Sequence, residues 1–494
     1  MLNFIKKIQK ILFISFPAIL FFSYYPVITI GKSDVMNLEF SLPEIWLVLI
    51  SIFSLPFLFQ LFRFYGWKKL LLFSLIPIYF ALSIIWSDNH LRAFLTAGIF
   101  TLIVYVGLNL IYLLKTDRTG KFRNTLVKVL LISSIIVSVF CWIQCVLDLV
   151  GVSREHTLLC SGCVSTSFGF PHPNGFAIEP QFMGNLLIAP ALLSFYLLAV
   201  QKKTKRRIQI AAISAFLVIT LFITLSRGAI YAFIIAFIIE QILLYKKHLS
   251  KIFFLKPIIL LILSFIVSLT FQGLFAALSP TNDTFVSGIT KSIHQLSLGK
   301  IDLRPQSVVN PSSNAQSPDH SKPSDQSTSS TDPFDSDSTK SNSNNTSTNA
   351  SFSGYVAEST NVRLNLNSLA FETWTSSTQY MSIGAGLGSA GLAMHHYSPE
   401  SIGPKEIVQN EYVSLLLEIG LIGCAIVMLV AIFLIKTASK SVNRSLLCPL
   451  FWSTIFGFAL TLLFFSGLPN ALHIYVFPLF FISLGGSKDN FVIK

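Results

Sequence analysis

Three short polar segments stand at the ends of long apolar runs and carry the side chains best suited to chemistry. The first is the turn at residues 224–229, where Arg227 is the only basic residue between Arg207 and Lys246. A guanidinium can grip a phosphate through two parallel hydrogen bonds, or it can reach the membrane surface without any role. Both interpretations of Arg227 stay open at this point.

A carboxylate at the end of another loop is the second candidate. Glu179 stands immediately before Pro180, a residue type that fits the first turn of a helix. An acidic side chain at a helix start stabilises the helix dipole, and it can also accept a proton from an attacking hydroxyl group. Glu179 is therefore a candidate general base, and an ordinary helix-start acid is the alternative.

The third segment is residues 408–423, where the chain returns from a long polar stretch into an apolar run. Gln409, Asn410 and Glu411 stand together at its start. Asn410 is suited to cap a helix, because its side-chain oxygen can accept backbone N–H groups of the first turn. Glu418 lies about two turns further on, where an ionisable side chain is costly in hydrocarbon and often functional.

Long apolar runs dominate the chain and must position these segments. Of the 494 residues, 52% are hydrophobic and 12% are charged, and the mean hydropathy is +0.66. A spanning helix needs about 20 mostly apolar residues, and the runs predict an all-α polytopic membrane protein with about 12 transmembrane helices. The predicted spans are residues 9–31, 44–62, 69–87, 93–114, 127–150, 184–200, 207–225, 228–245, 252–271, 411–435, 446–466 and 468–485.

Basic residues recur in alternate connections between these runs. If the N-terminus is inside, with Lys6, Lys7 and Lys10, then every other predicted inside connection also contains Lys or Arg. Short cytoplasmic loops are enriched in these residues. We therefore predict cytoplasmic termini and an extracytoplasmic large loop, and the net charge of +13 reports topology and gives no reason to expect nucleic-acid binding.

The large loop, residues 272–406, separates a membrane domain of nine predicted spans at 1–271 from one of three spans at 407–494. Its middle, residues 305–351, is rich in Ser, Asn, Asp, Thr and Pro. We predict that this insert is disordered, because it has too few apolar side chains to offset the entropy of the chain. Asp335-Ser-Asp337 within it mimics a metal motif, but a solvated charge run is the interpretation we adopt.

Glycines and cysteines of the predicted outer face have ordinary explanations as well. Gly384-Ala-Gly386-Leu-Gly388 lacks the strand–turn–helix surroundings of a nucleotide site, so we interpret it as a tight turn. Cys160 and Cys163 are flanked by His156 and His172. A zinc site is conceivable from these four, while a local disulfide or two unpaired thiols are the preferred alternatives. We predict no metal and no cofactor.

Several of these segments together resemble the O-antigen ligase and polymerase family of bacterial membrane glycosyltransferases. The matching segments, in order, are Ile84-Ile-Trp86-Ser87-Asp88, Pro173-Asn174-Gly175, Ser226-Arg227-Gly228, Arg363, Trp374, Gly384 to Gly388, and Asn410 followed by Glu418-x-Gly420-x-x-Gly423. The family typically has histidine before the asparagine, and Gln409 stands there instead. Since the resemblance implies that a ligase uses that imidazole, this departure favours a polymerase or a transferase that uses another base.

The resemblance implies a GT-C-like fold and a metal-independent, inverting transfer from an oligosaccharide on a polyprenyl diphosphate. Arg227 and Arg363 would stabilise the departing diphosphate. Glu179 and Glu411 are the candidate bases, with His395 and His396 in reserve. The predicted substrate-binding residues are Gln409, Asn410, His395, His396 and Trp374.

These inferences predict a polymerase of lipid-linked repeat units for capsule, exopolysaccharide or O-antigen, in the bacterial cytoplasmic membrane. The implied partners are the lipid-linked oligosaccharide, membrane lipid, and a chain-length regulator and flippase of the same pathway. A ligase that transfers finished glycan to a lipid or protein acceptor is the alternative within the class. A flippase or transporter is the alternative outside it, although ionisable residues near the bilayer midplane would then be expected. An inactive scaffold in an export complex is a third alternative.

Overall fold

The computed structural model of the protein describes residues 1–32, 37–117, 119–246, 251–281, 283–301, 348–442, 447–464, 476–478 and 480. Helices make up most of this part of the chain. The helices are α1 (Leu2–Ile19), α2 (Leu42–Ser54), α3 (Leu58–Tyr65), α4 (Trp67–Ser83), α5 (His90–Thr116), α6 (Lys121–Leu149), α7 (Arg154–Thr157), α8 (Ser165–Phe168), α9 (Pro180–Val200), α10 (Thr204–Ile223), α11 (Arg227–Lys246), α12 (Lys251–Leu278), α13 (Phe285–Leu296), α14 (Thr348–Thr375), α15 (Thr378–Ser382), α16 (Ala390–Tyr397), α17 (Glu411–Val442) and α18 (Cys448–Thr461).

Nine helical segments in the described residues are long and apolar enough to cross a membrane. They are Leu42–Tyr65, Trp67–Trp86, His90–Thr116, Lys121–Leu149, Pro180–Val200, Thr204–Ile223, Arg227–Lys246, Leu255–Leu278 and Glu411–Lys436. The protein therefore has the character of a multi-pass, helical membrane protein. The predicted count of twelve is not confirmed: α18 has only 14 residues, and most of residues 468–485 lies outside the described part.

The prediction of one span over residues 9–31 is wrong. Helix α1 ends at Ile19, and the chain then forms strand β1 (Val27–Lys32), which pairs antiparallel with β2 (Asn37–Ser41). Hydropathy did not distinguish the two structures, because residues 27–30 are apolar or β-branched. Such residues favour a strand, and Pro26 directly before them has no N–H to donate to a helix.

Helix α9 lies at the centre of the bundle. Its most apolar window is 94% buried, against 50% or less for the other candidate spans. It packs against α6, α10, α11 and α18. Gly184 permits the close approach of α11, because a Cβ atom there would lie 2.9 Å from the Cβ of Ala229. Small residues at such contacts let helix backbones come together where no water drives association.

The described part of the predicted large loop is mostly helical. Helix α12 continues past the predicted boundary at residue 271 to Leu278, and α13 folds back beside it. Helices α14, α15 and α16 form a cap that packs on α17. Of the insert predicted to be disordered, residues 305–347 lie outside the described residues, and α14 begins within its last residues at Thr348.

Candidate functional site

One short turn contacts the first turns of three helices. Residues 462–464 follow α18, and the backbone carbonyl of Leu462 accepts the N–H of Glu411, the first residue of α17, at 2.9 Å. The carbonyl of Phe464 accepts Nε2 of Gln181, in the first turn of α9, at 2.9 Å. Gly228, in the first turn of α11, lies against Phe464, since a Cβ there would be 2.8 Å from the Cβ of Phe464. The starts of α9, α11 and α17 therefore converge at one place.

Arg363 reaches this place from the cap. Its guanidinium donates to Oε1 of Gln181 at 3.2 Å, while the same amide holds Phe464 through its nitrogen. The positive charge of Arg363 also acts on Glu179, two residues before Gln181. Gln181 thus ties the cap to the membrane helices.

Glu179 sits in a mixed environment. Protein packed around the carboxyl raises the pKa of Glu179, and the positive charge of Arg363 opposes that rise. The residue nevertheless retains exposed surface. The carboxyl is therefore partly dehydrated and still exposed, which are conditions under which a carboxylate can act as a general base.

Arg227 is the first residue of α11 and is half-buried. The preceding Leu225 has φ of +48°, so the connection from α10 turns sharply. A Cβ at Gly184 would be 3.0 Å from Cβ of Ser226, which places this turn beside the first turns of α9. The hydroxyl of Ser226 is buried without a hydrogen-bond partner among the described residues. Arg227, Glu179 and Arg363 therefore border the same region.

Asn410 caps α17, as the sequence predicted. Its Oδ1 accepts the N–H of Tyr412 at 3.0 Å and that of Val413 at 3.4 Å. Gln409 beside it is half-buried, whereas Glu411 is buried with 5% of its surface exposed. The side-chain oxygen of Asn410 is used to cap the helix, so this residue has a structural role at the start of α17. Its side-chain amide nitrogen remains for binding a substrate.

Helix α17 is broken after two turns, and the glycine-rich turn seals the break. Gly420 has φ of +60° and ψ of −174°. The carbonyls of Leu417 and Glu418 consequently accept the N–H groups of Ala385 and Gly386, at 2.8 and 2.9 Å. Hydrogen bonds that a continuous helix would make are replaced by bonds to the turn.

The glycines of this turn are required by close packing. Gly384, Gly386 and Gly388 all have positive φ, of +81°, +97° and +74°. A Cβ at Gly384 would overlap the carbonyl of Glu418, and one at Gly386 would overlap Ser87. The sequence prediction of a tight turn is confirmed, and its function is to dock the cap on α17 and on the start of α5.

The Glu418 carboxylate is held by the same turn. It accepts the backbone N–H groups of Gly388 and Ala390, and the charge of Arg92 acts on it. Arg92 also packs against Gly388, where a Cβ would lie 3.0 Å from its Cγ. A carboxylate with two amide donors and a neighbouring guanidinium is compensated, so Glu418 has a structural explanation.

Residues Ser87 and Asp88 meet the turn from the other side. Oγ of Ser87 lies 2.6 Å from Oγ of Ser389, and the N–H of Asp88 donates to the carbonyl of Ala385 at 3.3 Å. Oδ2 of Asp88 accepts the hydroxyl of Tyr380 at 3.4 Å. The segment at Ser87 and Asp88 and the glycine-rich turn are about 300 residues apart in sequence, and they form one hydrogen-bonded unit.

The other predicted substrate-binding residues lie in the cap. Trp374 packs among the side chains of α14, α15 and α16, and its indole nitrogen is buried without a hydrogen-bond partner among the described residues. His395 is used structurally, with Nδ1 2.7 Å from the carbonyl of Ile402. His396 is exposed and faces Asp88. His395 therefore has a structural contact within the cap, whereas His396 is exposed on its surface.

The loop before α9 is fixed by a buried pair of amides. Gln144 of α6 donates to the carbonyls of Thr157 and Gly175, at 2.9 and 3.0 Å, and accepts the N–H of Gly175 at 2.9 Å. Asn174 donates to the carbonyls of Leu158 and Ala177, at 3.1 and 2.7 Å. This network sets the path of the chain into Glu179.

Cys160 and Cys163 form a disulfide in the same loop, which decides between the alternatives of the sequence analysis. His172 is buried and its ring centroid lies 3.9 Å from that of Phe168, while His156 contacts Ser153. Within the described residues, no group of three or more His, Cys, Asp and Glu side chains is placed to hold a metal ion.

Sequence reasoning missed three features of the site. In the sequence, Gln181 is distinguished only by its position near Glu179. Its hydrogen bond to Arg363 joins residues that are 182 positions apart. Arg92 is an isolated basic residue at the start of a span, which suggests an acidic partner. Glu418 could not be identified as that partner without the fold. Gln144, a buried amide in an apolar helix, was a signal of its own. Comparison with protein-family models and with curated proteins gives no match for the chain.

Proposed function

We propose that the protein polymerises polyprenyl-diphosphate-linked oligosaccharide repeat units at the outer face of a bacterial cytoplasmic membrane. The observation that carries the proposal is the convergence of three helix starts with Arg227 and Arg363. Each helix start carries the positive end of the helix dipole, which attracts anionic groups. Two arginines beside them add permanent charge in a form that matches phosphate oxygens.

This arrangement suits a donor whose leaving group is a diphosphate. As the bond from the sugar to the diphosphate breaks, negative charge grows on the leaving oxygen, and preorganised cations lower the barrier. Gln181 would fix the guanidinium of Arg363 by accepting from it at 3.2 Å. The helices that supply the site are membrane spans, so a lipid-linked donor can approach from the bilayer side.

The acceptor is proposed to be a second lipid-linked repeat unit. Its hydroxyl must lose a proton as it attacks the anomeric carbon from the side opposite the diphosphate, which inverts that centre. The chain then grows by one block in each cycle. The charge of Arg363 acts on Glu179, and burial raises the pKa of Glu179, so this carboxylate is one group that could accept the proton.

The test is the size profile of cell-surface and lipid-linked glycan in a strain that lacks the gene. The strain is complemented with wild type, Arg227→Ala, Arg363→Ala or Arg154→Ala. Arg154 is an exposed arginine on α7 and serves as the matched control. We expect single repeat units in the first two variants and normal polymer in the control, because loss of one charge-stabilising group costs roughly 100- to 1,000-fold in rate.

Three other results would contradict the proposal. Full-length polymer that remains on its carrier would indicate a ligase. Repeat units that accumulate facing the cytoplasm would indicate a flippase. Normal polymer in both arginine variants, with the proteins present in the membrane, would remove the two side chains from the site.

A further inference from the structure

Two adjacent polar residues interrupt the apolar sequence of α11. Glu240 and Gln241 stand between Ile239 and Ile242, in a helix that is long and apolar enough to cross a membrane. Glu240 is fully buried, and Gln241 has 2% of its surface exposed. Both carboxyl oxygens of Glu240 and Nε2 of Gln241 have no hydrogen-bond partner among the described residues. An ionisable side chain inside a spanning helix is costly, which makes Glu240 a candidate for a function of its own.

Glu240 lies far from the arginine end of the bundle. At 1.5 Å per residue it is separated from Arg227, the first residue of α11, by about 20 Å along the helix axis. It is separated from Lys246, the last residue of α11, by about 9 Å. The basic connections of the sequence predict that the Lys246 end is cytoplasmic. The carboxyl is therefore inside the predicted membrane, in its cytoplasmic half.

Tyr196 of α9 is the polar neighbour of Glu240. The ring centroids of Phe195 and Phe237 lie 4.7 Å apart, so α9 and α11 are in contact at this level. Tyr196 directly follows Phe195, and Glu240 lies about one turn after Phe237. The charge of Glu240 acts on Tyr196, which is itself fully buried. The phenol is therefore placed to exchange a hydrogen bond with the carboxyl.

Arg123 of α6 lies between Tyr196 and the surface. Its charge acts on Tyr196, and the residue is buried with 4% of its surface exposed. A Cβ atom at Gly120 would lie 3.3 Å from Nη2 of Arg123, so the guanidinium packs on the turn before α6. Lys121, the next residue, is exposed. Neighbouring polar side chains therefore connect this exposed turn to Glu240 in the interior.

We propose that Glu240 is a proton-binding site within the membrane, and that it exchanges its proton with the cytoplasmic side through Tyr196 and Arg123. A carboxylate in an apolar interior is stable only with hydrogen-bond donors or a cation beside it. The oxygens of Glu240 accept no hydrogen bond from the described residues. A bound proton removes the charge and gives the carboxyl a donor that can bond to a hydroxyl group.

The other titratable groups around α11 do not compensate the charge of Glu240. Burial acts on its carboxyl, and no charged group among the described residues does. The helices packed against α11 are α9, α10, α12 and α18. Besides Tyr196, the titratable side chains described on these four helices and on α11 itself are Lys205, Arg206, Arg207, Arg227, Tyr231, Tyr245, Lys246, Lys256 and Cys448.

The test is labelling with dicyclohexylcarbodiimide, a lipid-soluble reagent that reacts with protonated carboxyl groups. The carboxylic O–H adds across a C=N bond, and the adduct rearranges to an N-acylurea, so no group is lost. The full-length protein in membrane vesicles is labelled at neutral pH and analysed by mass spectrometry. We expect on the order of 100-fold more label on Glu240 than on Glu155, an exposed residue of α7, because a carboxyl in water is almost wholly ionised at this pH. Glu240→Gln should remove the label.

The route is tested by changing the pH on one side at a time. Raising the pH around inverted vesicles, which expose the cytoplasmic face, should lower the label on Glu240. Raising it around right-side-out vesicles should not. Tyr196→Phe, which removes only a hydroxyl, and Arg123→Gln should each slow the response at least about tenfold. Tyr105→Phe, the same change on α5, is the control and should leave it unchanged.

Three results would overturn the inference. Label on Glu240 no higher than on Glu155 would show that the carboxyl is ionised. Label that ignores the pH of both sides would show a neutral structural group that exchanges no proton. Label that follows the outer pH, or that responds equally fast in Tyr196→Phe, would refute the cytoplasmic route. The label is measured without glycan synthesis, so each result is independent of the proposed polymerase function.

Discussion

Mild acid should loosen the loop before α9, because that loop buries a neutral histidine. His172 has 5% of its surface exposed, its ring packs on Phe168, and Nε2 has no hydrogen-bond partner among the described residues. Burial lowers the pKa of His172 to about 3. In the opened loop the ring is hydrated and its pKa is about 6.5. Between these two values the opened form binds more protons, so the closed loop loses stability as pH falls.

The size of the effect follows from the two pKa values. Between pH 7 and pH 5 the closed loop should lose about 2 kcal/mol relative to the opened one. Changing the pKa of the buried ring by one unit hardly alters this figure, because that pKa stays well below 5. The loss corresponds to roughly a 30-fold fall in protection of the backbone amides of residues 158–175 against hydrogen exchange.

The assay is hydrogen–deuterium exchange by mass spectrometry on protein in nanodiscs, at pH 7 and pH 5, corrected for the intrinsic pH dependence of exchange. His172→Phe is the comparison, since an aromatic side chain that does not titrate keeps the packing. Two carboxylates also face this loop: Asp148 accepts the N–H of Ser165 at 2.7 Å, and Asp283, which is paired with Lys291, lies against Gly169. They are present in both proteins, so the difference isolates His172. Equal pH dependence in the two proteins would refute the reasoning.

Three further predictions concern other parts of the fold. Gln144→Leu should reduce polymer formation at least tenfold while the protein is still inserted in the membrane. The reason is the loss of the four hydrogen bonds of Gln144 that set the path of the chain to Glu179. Gln144→Glu should recover part of the activity in acid. Gly386→Ala should abolish stable protein, measured as the monodisperse fraction after detergent extraction, whereas Gly403→Ala, with open space around it, should not. Deletion of residues 306–350 should leave both insertion and polymer length unchanged, and loss of polymer from inserted protein would contradict it.

The sequence predicted those features that depend on local order. The helix at Pro180–Val200, the cap at Asn410 and the turn at Gly384 to Gly388 were all visible from residue type and spacing. The break at Gly420 was not, because one glycine in an apolar run costs a helix only about 1 kcal/mol and is compatible with a continuous span. The pairing of β1 with β2 was missed because apolar strands and apolar helices have similar hydropathy.

The grouping of the site could not be predicted in the same way. Gln181, Arg363 and Phe464 belong to three segments that only tertiary packing brings together, and their hydrogen bonds cross 182 and 283 residues. Single-sequence patterns carry no information on such pairs. What the sequence did supply was the residue types, since an arginine or a carboxylate at the end of an apolar run is costly enough to suggest a partner.

The first two turns of α17 explain how the cap is held in place against the three helix starts. This piece begins at Glu411, bound to the 462–464 turn, and ends at Gly420, where the helix breaks. Without the break, the carbonyls of Leu417 and Glu418 would be used within the helix, and the N–H groups of Ala385 and Gly386 would lose their acceptors. The cap would then have no backbone bond to α17 at the turn. The break therefore fixes the cap, with Arg363 on it, at a set position relative to the three helix starts, where Arg227 and Gln181 lie.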